Sequence, residues 1–245
     1  MAGHSKWKNI QHRKGAQDAK RGKVFTKLIK EITVAVKTGG GGDVDANPRL
    51  RLAVQNARGV NMPKDTIDRA IKKASGMGGA DFIETTFEGY GANGIAILVE
   101  SATDNNTRTV ANIRSYFNKY GGSLGKDGCL QFIFERKGIF IIPPGKLDEE
   151  EFTMEMIDAG AEDVEFPQEQ GDEYITISSG MEEFGSIQKK LDELKIEPVE
   201  AGLEQIPTTY KEVNQETYDK AMKLIDVIED DDDVQKVYHN MDLDE

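Results

Sequence analysis

Seven cations fall within the first 23 residues, Lys6, Lys8, Arg13, Lys14, Lys20, Arg21 and Lys23, against one acid, Asp18. Trp7 and the short polar side chains of Asn9, Gln11 and His12 stand between them. Cations that neutralise phosphates, with an aromatic ring to stack on bases, are the chemistry of nucleic-acid binding. A solubilising tail has a similar composition. What separates the two readings is the distribution of charge: residues 1–80 hold 17 Lys/Arg and 6 Asp/Glu, a charge of +11, whereas the remaining residues carry −24. An anionic body repels nucleic acid, so a cationic end confined to one module points to a dedicated contact.

A second constellation is Thr103-Asp-Asn-Asn-Thr-Arg108 and the helix it opens. At 100° per residue from Arg108, Val110, Ile113 and Phe117 fall at about 200°, 140° and 180°, and Asn112, Ser115 and Lys119 at about 40°, 340° and 20°. One face is core and the other is polar and cationic, as on a contact surface or a solvated helix. The following loop, Tyr120-Gly-Gly-Ser-Leu-Gly-Lys-Asp-Gly128, lets backbone N–H groups approach an anion, with Lys126 adding charge. It lacks the spacing of a P-loop, and a mobile hairpin connection would look alike. Asn105, Asn106, Arg108, Lys119, Ser123 and Lys126 therefore form a candidate second contact region.

Other chemistry is poorly represented. Glu229-Asp-Asp-Asp-Asp233 has neither the ligand spacing nor the glycine of a calcium loop and reads as a solvated turn. His4, His12 and His239 are scattered, Cys129 is alone, and no nucleophile elbow, nucleotide fingerprint or metal quartet is present. No enzyme, cofactor or metal is expected, an enzyme or small-ligand-binding module of the α+β body being the remote alternative, and no small-molecule substrate is evident. One cysteine fits a reducing compartment, and neither a membrane-length apolar run nor a signal-peptide core occurs, so the sequence reads as cytoplasmic with no membrane partner.

These groups need elements to position them. Between Lys23 and Lys37, Val24, Phe25, Leu28, Ile29, Ile32, Ala35 and Val36 recur at three and four, predicting an amphipathic helix with Lys23, Lys27 and Lys30 on its polar side. Asn47-Pro48 starts a second helix and Asn61 to Pro63 a third, giving a small basic bundle closed by a Gly-rich linker at 76–80. Beyond it the apolar period falls from 3.6 to 2. Strands are expected at 82–90, 95–101, 130–134 and 139–142, with an Asn-capped helix at 105 or 106. Helices follow at about 149–159 and from Ser179, where Ser179 and Glu182 form a capping box; strands follow at about 163–167, 173–178 and 196–200. Residues 138–200 thus spell β-α-β-β-α-β. A strand near 203–209, an Asn214-capped helix and a strand near 234–240 complete the chain.

The fold class is α+β: a three-helix basic domain (1–80) precedes two α+β domains with antiparallel sheets. One is discontinuous (81–137 plus 201–245), and the other (138–200) is ferredoxin-like and inserted in it.

Met1-Ala-Gly-His-Ser-Lys-Trp-Lys-Asn-Ile-Gln-His-Arg-Lys14 closely resembles the N-terminus of the YebC/PmpR family. The resemblance continues through Lys23-Val-Phe-Thr-Lys-Leu28, Ala46-Asn-Pro-Arg-Leu50, Asn61-Met-Pro-Lys-Asp-Thr-Ile67, Glu88-Gly-Tyr-Gly91, Thr103 to Arg108 and Gly121-Gly-Ser-Leu-Gly125, and covers essentially the whole chain. It implies a three-domain cytosolic protein acting either as a DNA-binding transcriptional regulator or, like the mitochondrial translational activator of cytochrome oxidase, as a ribosome-associated factor relieving stalls at proline-rich stretches. The implied partner is promoter DNA or ribosomal RNA, with the ribosome itself in the second case. The expected anchor comprises Lys6, Trp7, Lys8, Arg13, Lys14, Lys20, Arg21, Lys23, Lys27 and Lys30.

Overall fold

The computed structural model describes residues 21–76, 81–145, 147–167 and 174–243. Three helices come first, α1 (Arg21–Thr38), α2 (Pro48–Gly59) and α3 (Lys64–Ser75). Asn47 makes the α1–α2 turn: its Oδ1 accepts from Leu50 N at 3.0 Å, while its Nδ2 donates to Ala35 O and Gly41 O at 2.8 Å each. Pro48 follows at the first helical position, where its missing N–H leaves nothing unpaired. A Cβ on Gly39 would lie 2.4 Å from Asn47 Oδ1, so the helix must end in glycine for the cap to fit. Ile32, Ala35, Leu50, Ala53, Ala57 and Ile67 close the bundle core.

The first sheet is antiparallel and ordered β3-β1-β2-β9, built from β1 (Ile83–Tyr90), β2 (Ala96–Thr103), β3 (Ser123–Leu124) and β9 (Val234–His239). Tyr90 pairs with Ala96 and Ile83 with Thr103, fixing the register of β1 on β2. Ile97 and Val99 of β2 lie under α4 (Asn106–Lys119) and α7 (Gln215–Glu229), packed on Ile113, Phe117, Leu224 and Ile228. Ala96 and Leu98 point the other way and are covered by Leu130, Phe134 and Tyr238. With both faces covered, β2 opens on a continuous apolar run, Ala96 to Val99, and not on an alternating one. Two short strands, β8 (Lys211–Val213) and β10 (Met241–Leu243), pair in parallel beside it.

The second sheet is ordered β5-β6-β4-β7, from β4 (Phe134–Ile142), β5 (Ala161–Glu165), β6 (Ile175–Gly180) and β7 (Glu200–Pro207), with α5 (Glu149–Asp158) and α6 (Phe184–Glu193) between them in sequence. Its four strands are antiparallel and connected β-α-β-β-α-β, the ferredoxin-like arrangement. Three expectations need correction. The strand expected at 130–134 is a series of turns up to Ile133, and the one expected at 139–142 starts earlier, at Phe134, and runs through Gly138, where a Cβ would lie 2.6 Å from Ser179 Oγ and 2.8 Å from Phe184. The strand expected at 196–200 is irregular up to Val199, and the one expected at 203–209 starts earlier, as β7, paired along β4 from Phe134↔Pro207 to Ile141↔Glu200. The inserted sheet therefore spans 134–207, and boundaries at 137/138 and 200/201 would cut paired strands. The Ser179–Glu182 capping box does not form, because β6 extends to Gly180 and buries Ser179 opposite Gly138.

Both crossings between the two sheets are tied: Thr208 N donates to Ile133 O at 2.8 Å, and its hydroxyl to Phe132 O at 3.1 Å. The bundle docks on both sheet-bearing units. Asn56 of α2 donates to Ala201 O at 2.8 Å and accepts from Ala201 N at 2.9 Å, so its amide pairs with the edge of β7 as a further strand would. Leu52 of the same helix packs against the core of the second sheet, and Lys30 of α1 ties the bundle to the first.

Candidate nucleic-acid interface

Of the expected anchor, Lys6, Trp7, Lys8, Arg13, Lys14 and Lys20 lie outside the described residues, as do residues 77–80 of the expected linker. Arg21 opens α1. The α1 lysines are engaged by the body. Lys23 Nζ pairs with Asp230 Oδ1 at 2.8 Å, with both side chains nearly half exposed. Lys27 Nζ reaches Gln235 O at 3.4 Å. Lys30 corrects its placement on the polar face: it is buried, donating to Ala102 O at 2.9 Å, Asp232 O at 2.7 Å and Asp233 Oδ1 at 3.2 Å. Helical periodicity marked it as polar, and its polar surroundings are another part of the protein. So placed, it is withdrawn from any phosphate outside.

The Asp230–Asp233 turn that engages α1 is solvated, as expected, at Asp230 and Asp232, whereas Asp233 is an internal hub. Asp233 is buried and its Oδ2 accepts from Thr103 Oγ1 at 3.1 Å, Thr109 Oγ1 at 2.9 Å and Arg108 Nη2 at 2.6 Å. Burial on its own would raise the Asp233 pKa, but the hydrogen bonds from Arg108, Thr109 and Lys30 outweigh it and hold the carboxyl below its usual value. Asp231 Oδ2 accepts from Asn112 at 3.1 Å and from the Tyr116 hydroxyl at 2.9 Å. Burial, followed by that hydrogen bond, pushes the Tyr116 hydroxyl up to about 12. Asp230 to Asp233, Arg108 and Asn112 line an open polar cleft of about 430 Å³. Among the described residues, no group of three or more His, Cys, Asp or Glu is disposed to hold a metal ion.

The second contact region is divided between the two ends of α4, about 21 Å apart for a helix of this length. At the N-terminal end Asn105 Oδ1 caps the helix, accepting from Arg108 N at 3.1 Å, and Asn106 is exposed. Arg108, about half exposed, is bound to Asp104 at 2.8 Å as well as to Asp233, and these acids raise its pKa further. Lys119, Ser123 and Lys126 are exposed at the far end, where Ser123 pairs with Tyr90 and Lys119 lies over the Tyr120 ring.

The glycine-rich loop does gather an anion, and the anion is internal. The Glu88 carboxylate accepts from Gly128 N at 2.9 Å and from Leu130 N at 2.5 Å, while Glu88 O accepts from Gly125 N at 2.7 Å. The loop is therefore a fixed turn around Glu88. Burial first and the Glu88 charge second raise the pKa of the neighbouring Cys129 thiol. Sequence reasoning missed Glu88, Asp233 and Asn56, whose partners lie 40 or more residues away. Only Glu88 carries a local signal, an acid between Phe87 and Gly89 in a strand; Asp233 ends a run of acids in a turn and Asn56 follows Gln55.

No helix among the described residues is long and apolar enough to cross a membrane. A family model described as "TACO1/YebC protein N-terminal domain" matches residues 5–77, and one described as "TACO1/YebC second and third domain" matches residues 82–241. A protein of Amoebophilus asiaticus named "Probable transcriptional regulatory protein" is 57% identical over 242 residues, 98% of each chain. One of the same name from Persephonella marina is 49% identical over 245 residues, covering 99% of this chain and 96% of that one. Among solved structures, a conserved hypothetical protein of Aquifex aeolicus is 40% identical and superimposes with a TM-score of 0.81 over 93% of both chains.

Proposed function

Because the chain belongs to the TACO1/YebC family, we propose that it is a cytoplasmic regulator of gene expression that works by binding nucleic acid and catalyses no reaction. The anchor in this reading is the arm and the start of α1: Lys6, Trp7, Lys8, Arg13, Lys14, Lys20, Arg21, Lys23 and Lys27. The outer side of α4 and the loop beyond it supply the second contact. The observation that carries the proposal is the segregation of charge, +11 in residues 1–80 against −24 in the rest. Counterion release at the basic end gives affinity, and repulsion from the body limits indiscriminate binding.

The names of the relatives favour a transcriptional regulator, which in this reading acts by binding promoter DNA. A specific observation favours the second reading, a ribosome-associated translation factor. Major-groove reading normally needs a free recognition helix. Here α1 is held on the acidic turn, α2 on the edge of β7, and the outer face of α3 mixes Asp65 and Asp68 with its lysines. Basic segments and fixed loops suit an irregular RNA surface better.

Sedimenting ribosomes from cells at low and high salt, beside gel shifts on promoter and random duplexes of equal length, separates the two. Salt-sensitive co-sedimentation without duplex preference is the result expected of the translation factor. A sequence-selective shift with no ribosome association establishes the transcriptional reading. Deleting residues 1–20 weakens whichever complex forms and flattens its salt dependence; unchanged binding overturns the anchor.

A further inference from the structure

A strand at the edge of a sheet offers a second chain a row of unpaired N–H and C=O groups. Three of the four edges of the two large sheets are blunted. β5 carries Glu162, Asp163 and Glu165 and breaks register between Ala161 and Asp163. β7 is met by the Asn56 amide, and Gln235 O of β9 accepts from Lys27 of α1. At the fourth edge β3 pairs only with Gly89 and Tyr90, so residues 83–87 of β1 form the outer margin of the first sheet.

That margin is open in its backbone. Ser101 of β2 donates to Thr85 O at 2.8 Å, whereas Gly125 N, on the β3 side, donates to Glu88 O at 2.7 Å. Carbonyls alternate along a strand, so the N–H and C=O groups of Glu84 and Thr86 face outward with Glu88 O. Among the described residues none of those four groups has a hydrogen-bond partner, and both residues are exposed. The stretch reads Ile-Glu-Thr-Thr-Phe, with no proline, lysine or bulge to turn a second strand away, and keeps unbroken register on β2. Ile83 is 57% exposed. Glu84, the one acid in these five residues, is bound by Arg49 of α2 at 3.0 Å.

We propose that this edge pairs with the same edge of a second copy of the chain, antiparallel about a two-fold axis at Thr85. Pairing so centred sets Thr85 against Thr85, Ile83 against Phe87 and Glu84 against Thr86, and no carboxylate meets another. The outward groups of Glu84 and Thr86 then exchange hydrogen bonds with those of Thr86 and Glu84 of the second copy. Centring on Glu84 would oppose that acid to itself, and centring on Thr86 would oppose it to Glu88. An extended segment of another protein gains the same backbone bonds, but the self-matching order of side chains favours a second copy. Five residues a side fall short of the about 1,200 Å² that stable interfaces bury, so the pair is weak and reversible. Each copy carries −13, a repulsion that salt screens. The pairing stands apart from the nucleic-acid reading and does not need it.

Sedimentation equilibrium of the full chain, free of nucleic acid, should show monomer giving way to dimer as concentration rises. The dimer should form more readily at high salt than at low, the reverse of a nucleic-acid complex. Thr86→Pro removes an outward N–H that β2 does not use and weakens the dimer about tenfold or more. Its melting temperature, read at dilute concentration, stays at the wild-type value. In a Cys129→Ser background, Thr85→Cys sets two thiols opposite each other in a non-hydrogen-bonded pair, with Cα atoms about 4.5 Å apart, and mild oxidation gives a covalent dimer. Thr86→Cys, out of step with its own copy, crosslinks far less. A chain that stays monomeric throughout overturns the pairing, as does a dimer that ignores Thr86→Pro or crosslinks equally through either cysteine.

Discussion

Lys30 Nζ and Asp233 Oδ1 meet at 3.2 Å across the junction of the helical bundle and the first sheet, with 10% and 8% of their side chains exposed. The pair joins the basic and acidic parts of the chain, and both partners are fully engaged, Lys30 by two further carbonyls and Asp233 by Thr103, Thr109 and Arg108. Removing one member of such a pair leaves the other buried without its counter-charge, which costs about 3–5 kcal/mol. Lys30→Met should lower stability to urea by that order. The bundle should loosen first, as seen by faster amide exchange in α1 than in β6.

Asp233 also sets an acid limit. Its pKa is depressed on folding, so its contribution to stability is present above the unfolded value, near 3.8, and is lost as pH falls through the lower folded value. Asp233→Asn should remove this component: the difference in stability between wild type and variant should be constant near neutrality and shrink below about pH 4. A difference independent of pH down to strong acid would contradict the assignment.

Glu88 offers a chemical readout through Cys129. Its carboxylate holds two amides of the 125–130 turn and adds to the elevation of the thiol pKa. Hydrogen bonds to a charged group contribute about 1.5–3 kcal/mol. Glu88→Gln should therefore cost at least that order of stability and make Cys129 react faster with a thiol reagent at neutral pH, both through a lower pKa and through a looser turn. Equal alkylation rates would mean that the carboxylate does not govern the turn.

The parts of this structure that were readable from sequence are those decided locally. Asn47, Asn105 and Asn214 cap the helices they precede, because a short side chain accepting from the third residue on needs no distant partner. The change of period after residue 80 separates bundle from sheets for the same reason. Gly138 misled because a strand glycine resembles a break, whereas its lack of Cβ accommodates Ser179 and Phe184 from elsewhere in the fold. Lys30 misled likewise: amphipathicity tells polar from apolar, but not whether the polar face meets water or an aspartate 203 residues away. At the second contact, the composition of α4 was readable and the occupation of Arg108 by Asp233 was not.

The docking of α2 on β7 depends on two small features. Asn56 exchanges two hydrogen bonds with Ala201, and a Cβ on Gly59 would lie 1.9 Å from Val199 O. Asn56→Ala leaves both Ala201 backbone groups unpaired and should cost about 2–3 kcal/mol. Gly59→Ala forces the helix off the strand by sterics, at about 1–3 kcal/mol. Because both act on one interface, their double variant should cost less than the sum of the singles. Strict additivity, measured by urea unfolding, would mean the two sites are not part of one contact.

Glu31 should behave oppositely to Asp233. It lies on α1, partly buried where all three units meet. Burial raises its pKa most, Glu200 and Glu204 of β7 raise it further, and Lys236 of β9 and Arg49 of α2 oppose them. Lys236 is itself paired with Glu204, and Arg49 with Glu84, so the cations present are shared. With the folded pKa above the unfolded 4.5, the native state binds the proton more tightly, and stability falls as pH rises through the folded value. Above pH 4.5 Glu31 is therefore a cost carried by the junction, whether it keeps its charge or takes up a proton. Glu31→Gln should stabilise the protein at pH 7 by about 0.5–2 kcal/mol, the range typical of relieved charge conflicts. The gain should shrink as pH is lowered toward 4.5, where wild-type Glu31 is neutral in the folded state as well. Lys236→Met should deepen the conflict and enlarge the benefit of Glu31→Gln, because it removes the cation that opposes the shift most. A stability gain that does not depend on pH would place the cause in packing and not in the buried charge.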